Sequence, residues 1–483
     1  MPSTLAPARS AARGARAPAP APSPAVRAQP WRLLVLGCLA LAALSLLITR
    51  QPTYDPWAWL IWGRQIAHLD LVTTAGPSWK PLPVLFTAPF SLFGDDAAPL
   101  LWLVVARAGG LMAIALAFRV AARLAGPVAG VIALVALVLA DQFVSFFARG
   151  NSEGLLVALS LWAVERHIDG CRRDAFVLGI AAGLIRPEVW VPVGLYGLWL
   201  VISDRRSARF RGTAAMVGGG LALLAVLWFV PEYIGSGNFL RAAARAREPV
   251  PDSPAQAAVP FLAVFTNGAS AVAPPVYAGG VVAVLLALRA FRDEHHGTGR
   301  LTLAALATFL MLTVAALAQA GFTGNLRYVL LPAAFVCVLA GVGWAQLVQW
   351  IRRRRGARSA WAAAAVIAAG SAPFVTAYVD RLARELQDVK AEARVSAALP
   401  AAIAEAGGPA AVLRCGQVFT DPFQTQLVAW HLHVPQHEVG IFPHPPGTTV
   451  VPAGAKLARD PRFPPVARTR FWAIGSSCAR GGG

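Results

Sequence analysis

The chain alternates long apolar blocks with short polar connections rich in arginine. The apolar blocks fall at 31–49, 97–118, 126–146, 153–168, 175–186, 188–202, 213–234, 272–291, 301–320, 329–351 and 360–378. Most are long enough to cross, as a helix, a hydrocarbon core about 30 Å thick. The pattern therefore predicts about eleven transmembrane helices. The stretch 175–202 needs a decision, because it is apolar except for Arg186-Pro187-Glu188 near its middle. Both of its flanks are arginine-rich and belong on one side of the membrane. Two short passes meeting at a proline break satisfy that condition, and one tilted helix does not.

The basic connections are the N-terminal tail, Arg119 with Arg123, Arg166 with Arg172 and Arg173, Arg205 to Arg211, Arg289 to Arg300, and Arg352 to Arg358. Under this assignment all lie on one side. The expectation is a cytoplasmic N-terminus and an extracytoplasmic C-terminus. No small-residue cleavage site follows the first block, so it is expected to stay as a span. Residues 1–30 are rich in Ala, Pro and Arg with little to bury, which predicts a disordered cytoplasmic tail. Residues 31–378 form the expected transmembrane domain, with 50–96 as its first external loop. Residues 379–483 are enough for a small domain. Asp380–Ala406 has helical charge spacing, Ala411–Val418 and Phe471–Gly475 are strand-like, and Phe423–His433 reads as a helix. The fold class expected is an all-α polytopic membrane protein with a small extracytoplasmic α/β C-terminal domain.

Composition agrees: 57% of residues are hydrophobic and 14% charged, with mean hydropathy +0.56. A soluble chain of 483 residues cannot hide that much apolar surface. Basic residues outnumber acidic ones 43 to 24, but the arginines sit between apolar spans rather than on one soluble face. Membrane anchoring explains them, and no nucleic-acid partner is expected. Abundant Arg, Ala, Gly and Pro point to a GC-rich bacterial genome, hence a bacterial plasma membrane. Cys38 and Cys337 lie in apolar blocks and Cys171 in a basic loop. Cys415 and Cys478 share the C-terminal region and are the disulfide pair expected there.

Candidate chemistry gathers at the external ends of the spans. Asp55 opens an aromatic stretch containing Trp57, Trp59 and Trp62. It suits a general base at the water–lipid interface, and equally a helix cap before Pro56 within a tryptophan belt. Lys80 could hold a lipid phosphate or snorkel from an apolar end. Arg107 lies about ten residues into its span, roughly 15 Å along a helix. Such an arginine must face protein, a phosphate or a carboxylate. Arg149 and Glu153, Arg186 and Glu188, and Arg327 with Tyr328 mark three external turns on the side of Asp55, as one shared cleft requires. His431, His433, His437 and His444 lack the spacing of a metal site. No nucleotide-binding or hydrolase motif stands in a credible context.

Several of these segments together resemble the multi-spanning C-superfamily (GT-C) glycosyltransferases, of the protein O-mannosyltransferase and lipid A aminoarabinose transferase type. Asp55 matches the acidic position of their first external loop. Lys80-Pro81-Leu82-Pro83 is similar to the downstream proline motif, and Leu92-Phe93-Gly94 precedes the span holding Arg107. Phe147–Trp162 is similar to the turn into the fourth span, and Leu184–Trp190 and Leu326–Pro332 to the later Arg-Pro-Glu and Arg-Tyr turns. Trp79-Lys80-Pro81 stands where the mannosyltransferases carry His-Pro-Pro. The resemblance implies transfer of a sugar from a polyprenyl-phosphate donor to a glycan, lipid or protein acceptor outside the cytoplasm, with inversion and Asp55 as base. Lys80 and Arg327 would hold the donor phosphate, followed by Arg186 and Arg149, with Arg107, Glu153, Glu188, Asp95 and Asp96 in support. No cofactor is signalled; a divalent metal stays open, since Asp95-Asp96 lie at the same surface. The competing class is a transporter or lipid flippase, which also uses intramembrane arginines and broken helices.

Overall fold

The computed structural model describes residues 31–248, 252–294 and 298–478; the tail expected to be disordered lies outside them. Each of the eleven apolar blocks contains a helix, but 126–146, expected as one span, is divided between two by a turn at 139–142. Helix α1 (Trp31–Ser45) leads to α2 (Tyr54–His68) and α3 (Pro81–Phe90), which together fill the first loop. Then come α4 (Ala97–Ala125), α5 (Pro127–Val138), α6 (Phe143–Ala148), α7 (Glu153–Ile168), α8 (Arg172–Gly183) and α9 (Trp190–Asp204). Next are α10 (Phe210–Ser236), α11 (Arg241–Ala246), α12 (Pro260–Gly268), α13 (Pro274–Glu294), α14 (Thr298–Gln319) and α15 (Leu326–Ala397). Among the described residues, five helices (α4, α10, α13, α14 and α15) are individually long and apolar enough to cross a membrane.

The proline break at 187 does what its chemistry dictates. Helix α8 stops at Gly183, a short turn spans Pro187–Val189, and α9 packs back along α8. Gly179 meets Val193 and Gly197 meets Phe176, so the two run antiparallel. Helices α4 and α7 cross more tightly. A Cβ on Gly154 would lie 2.7 Å from the Gly110 Cα, so neither position admits a side chain. That crossing fixes where α7 begins, and hence where Glu153 stands.

Helix α15 takes in the last two apolar blocks. They meet at Gly356, whose φ of 84° breaks the helix in a region only glycine enters easily. No glycine or proline follows between 379 and 399. The second arm therefore runs unbroken to Ala397, and the domain start expected at 379 falls inside a helix. Along this arm Arg381 pairs with Asp141 at 3.0 Å. The Gln142 N–H donates to Glu385 at 3.2 Å. Glu392 binds Arg149 at 2.7 Å and accepts from Thr53 Oγ1 at 2.9 Å. Positions 381, 385 and 392 share one helix face, which forms a polar seam against the ends of α5 and α6 and the start of α2.

Beyond α15 come α16 (Leu399–Glu405), α17 (Pro409–Leu413) and α18 (Thr425–Leu432) with a sheet of β1 (Gln417–Phe419), β2 (Val439–Gly440), β3 (Gly447–Pro452), β4 (Pro465–Arg468) and β5 (Trp472–Ser476). Its order is β2-β1-β3-β5-β4. Strands β2 and β3 flank β1 in parallel, and β5 and β4 add antiparallel. The strand expected over Ala411–Val418 is displaced. Gly408-Pro409 starts a helical turn instead, and β1 begins only at Gln417. Cys415 and Cys478 are bonded to each other, closing the sheet's last residues onto its first strand. This layer sits on α2: Trp57 packs against Trp430, and Gln436 donates to the Ala58 carbonyl at 3.3 Å.

Candidate active site

Three X-Pro dipeptides set the site. A residue before proline is pushed out of the helical region into extended backbone. Lys80 (φ −137°, ψ 109°) and Arg186 (φ −142°, ψ 125°) both obey, ahead of Pro81 and Pro187. Each side chain thus leaves the chain just before a helical turn starts. Asp55 precedes Pro56 but already lies in the first turn of α2, whose N-cap position is Thr53. No side chain caps that helix. The Asp55 carboxylate is given to cations instead, which removes the capping reading.

The structure brings Asp55, Lys80, Glu153, Arg186 and Arg327 together. Arg327 NH1 donates to Asp55 Oδ2 at 2.8 Å, and Lys80 Nζ approaches the same oxygen at 3.7 Å. Lys80 lies 3.9 Å from Glu153 Oε1, which also accepts from Arg186 at 2.6 Å. Glu188 closes the chain, 4.0 Å from Arg186. Asp55, Lys80, Glu153 and Arg186 are each at most 5% exposed, whereas the Arg327 side chain keeps 24% of its surface open. An anion entering the cluster meets Arg327 first. Burial tends to raise the Asp55 carboxyl, but the charges of Arg327 and Lys80 prevail and hold it below the usual carboxylate range. Burial, and next the neighbouring Arg186 charge, bring the Lys80 ammonium down to about 8.

Solved structures of ArnT share this architecture. ArnT from Cupriavidus metallidurans bound to undecaprenyl phosphate aligns with a TM-score of 0.55 at 13% identity, over 94% of this chain and 99% of that one. Its apo state aligns at 0.54 and 15% identity, over 92% and 98%. The oligosaccharyltransferase AglB from Archaeoglobus fulgidus, in complex with an inhibitory peptide and a dolichol-phosphate, aligns at 0.45 and 12% identity, over 87% and 70%. The fold is a GT-C fold. No family model matches the chain, and no curated protein matches it by sequence.

Within this GT-C fold the remaining candidates separate from the cluster. Arg149 is taken by Glu392. Asp95 binds Arg64 at 3.4 Å and His433 at 3.2 Å on another face of α2. Arg107 faces protein: it donates to the Ala148 carbonyl, Ser45 Oγ and both oxygens of Thr49, at 2.8 to 3.0 Å. It therefore staples the end of α1 to α6. One member escaped the sequence reading: Ser152 Oγ lies 3.4 Å from Lys80 Nζ. Trp59, read there as part of the aromatic stretch after Asp55, has its ring 5.0 Å under the same ammonium. Tyr328, singled out with Arg327, stacks under Arg186 at 4.1 Å.

An apolar groove of about 550 Å³ opens between α7, α8, α9, α14 and α15. Val189, Leu310 and Leu331 line it and also line a small recess walled by Arg186, Glu188 and Tyr328. The groove thus leads to the cationic cluster. Among the described residues, no three His, Cys, Asp or Glu side chains group as metal ligands. Lys80 lies between Asp55 and Glu153.

Proposed function

We propose that the protein is a bacterial plasma-membrane glycosyltransferase. It moves a sugar from a polyprenyl-phosphate donor to an acceptor outside the cytoplasm. The observation that carries this reading is the buried cluster of three cations, Lys80, Arg186 and Arg327, with Asp55 and Glu153 at the end of an apolar groove. A prenyl chain is apolar and fits the groove, and its phosphate needs the cations found at the groove's end. A transporter would more naturally place its charges at the bilayer midplane, whereas these lie at helix ends.

The chemistry follows from the contacts. The phosphate enters at Arg327 and competes with Asp55 for that guanidinium and for Lys80. Asp55 loses its counter-ions and regains basicity, which matters because a base held far below the working pH accepts protons poorly. An acceptor hydroxyl then gives its proton to Asp55 as its oxygen bonds the anomeric carbon from the face opposite the phosphate. The carbon–phosphate-oxygen bond breaks, the configuration inverts, and the charge left on the lipid phosphate is met by Arg327, Lys80 and Arg186.

Asp55→Asn tests this. The change is isosteric but leaves Arg327 and Lys80 without a buried counter-ion, so transfer is compared on folded protein only; loss of a general base lowers it about 100- to 10,000-fold. The measurement is radiolabelled sugar transfer by purified protein from a panel of polyprenyl-phosphate sugars. Wild-type transfer by Asp55→Asn would overturn the assignment.

A further inference from the structure

The C-terminal sheet carries a second opening that the transfer chemistry does not use. Strand β1 continues through α18 to β2 on one side, and the chain returns to β1's other side as β3. In open α/β sheets such a reversal parts the connections at the carboxyl ends of the strands and leaves a crevice there. A cavity of about 580 Å³ lies at that place. Its walls come from all three connections: Thr420 and Asp421 after β1, Ile441 after β2, and Lys456 and Asp460 after β3.

The lining is chemically selective. Asp460 is committed to Arg462 at 2.7 Å. Asp421 and Lys456 make no side-chain hydrogen bond or ion pair among the described residues, so a carboxylate and an ammonium remain free to bind. Phe442, between the lining residues Ile441 and Pro443, is 81% exposed, and Phe423, after Pro422, is 67% exposed. Bare phenyl rings beside a polar crevice mark a contact surface. One free carboxylate beside one free ammonium disfavours a bare anion as much as a bare cation. A saccharide satisfies every element: hydroxyls donate to the carboxylate and accept from the ammonium, while the C–H face of the ring lies on phenyl. Phe423, which follows the lining residue Pro422, packs edge-on against Tyr54 at 6.1 Å, so this layer meets the start of the helix that carries Asp55.

We propose that this crevice is a saccharide subsite that holds sugar units of a glycan acceptor beyond the unit that reacts. The proposal rests on the transferase reading and narrows the acceptor to a glycan. Saturation-transfer NMR on the full-length protein in nanodiscs, with arabinotriose, mannotriose and galactotriose as probes, tests it. At least one trisaccharide should bind, with saturation strongest on its ring C–H protons. Phe442→Ala should abolish that signal, and Asp421→Asn should weaken binding about tenfold. Neither side chain is buried, so both variants should keep the wild-type thermal midpoint. Absence of binding by all three probes, or wild-type binding by both variants, overturns the subsite. Asp55→Asn should bind the trisaccharide normally. Intact binding together with undiminished transfer in that variant would overturn the base assignment and leave the subsite standing.

Discussion

Lys80 shows how much one side chain can be made to do. Its position was legible, because a lysine before proline at the start of an apolar run is an unusual pattern. Its surroundings were not: Ser152 and Glu153 arrive from α7 and Trp59 from α2, and no local sequence signal joins them. Those surroundings bring the ammonium down to about 8. Only the charged form attracts a phosphate, so donor affinity should be constant below about pH 8 and weaken above it. The KM for the donor, measured across pH, should rise by up to tenfold per unit beyond that point. In Lys80→Arg the guanidinium stays charged throughout, and the rise should vanish. Arg107 teaches the opposite lesson. Its depth in a span was correctly read as needing a partner, but only the fold shows that the partners are Ser45, Thr49 and Ala148.

Among the elements, the helices were legible from apolar blocks and the proline break, since both effects act locally. The long second arm of α15 was half legible. Its charge spacing was seen, but its continuity with the preceding block was not. The β layer was least legible, because β1 and β2 are too short to show alternation, and β2 pairs only with β1, which itself depends on the distant β3. One element contact controls the site: the crossing of α4 and α7 through Gly110 and Gly154. Gly154→Val would force the helices apart, lowering stability by about 1–3 kcal/mol. Transfer should fall as Glu153 moves from Lys80 and Arg186. Gly194→Ala is the control, since a Cβ there meets nothing within 4 Å. Thermal unfolding and transfer assays on both variants check this; equal midpoints for Gly154→Val and wild type would refute it.

At the scale of the molecule, the expected orientation of the site rests on the distribution of arginine. At the end opposite the cluster, Arg119 and Arg123 close on Glu165 at 2.9 and 3.0 Å, and Trp31 stacks on Arg119 and Arg166. If that end is cytoplasmic, single cysteines placed at 353–358 should be shielded from an impermeant thiol reagent in intact cells. Cysteines at 455–465 should label. The reverse pattern would turn the cluster toward the cytoplasm and remove the extracytoplasmic acceptor.

The seam between α15 and the helix ends has a consequence for the medium in which the protein works. Its ion pairs are partly open to water: the side chains of Arg381 and Glu392 are 39% and 42% exposed. Pairs of that kind weaken as salt shortens the screening length to about 10 Å at 0.1 M and about 3 Å at 1 M. Through Thr53, the seam holds the start of the helix that carries Asp55. Ionic strength should therefore loosen that helix before it unfolds anything. Transfer should decline between about 0.1 and 1 M salt while the thermal midpoint barely moves, and Glu392→Gln should reproduce the decline at low salt.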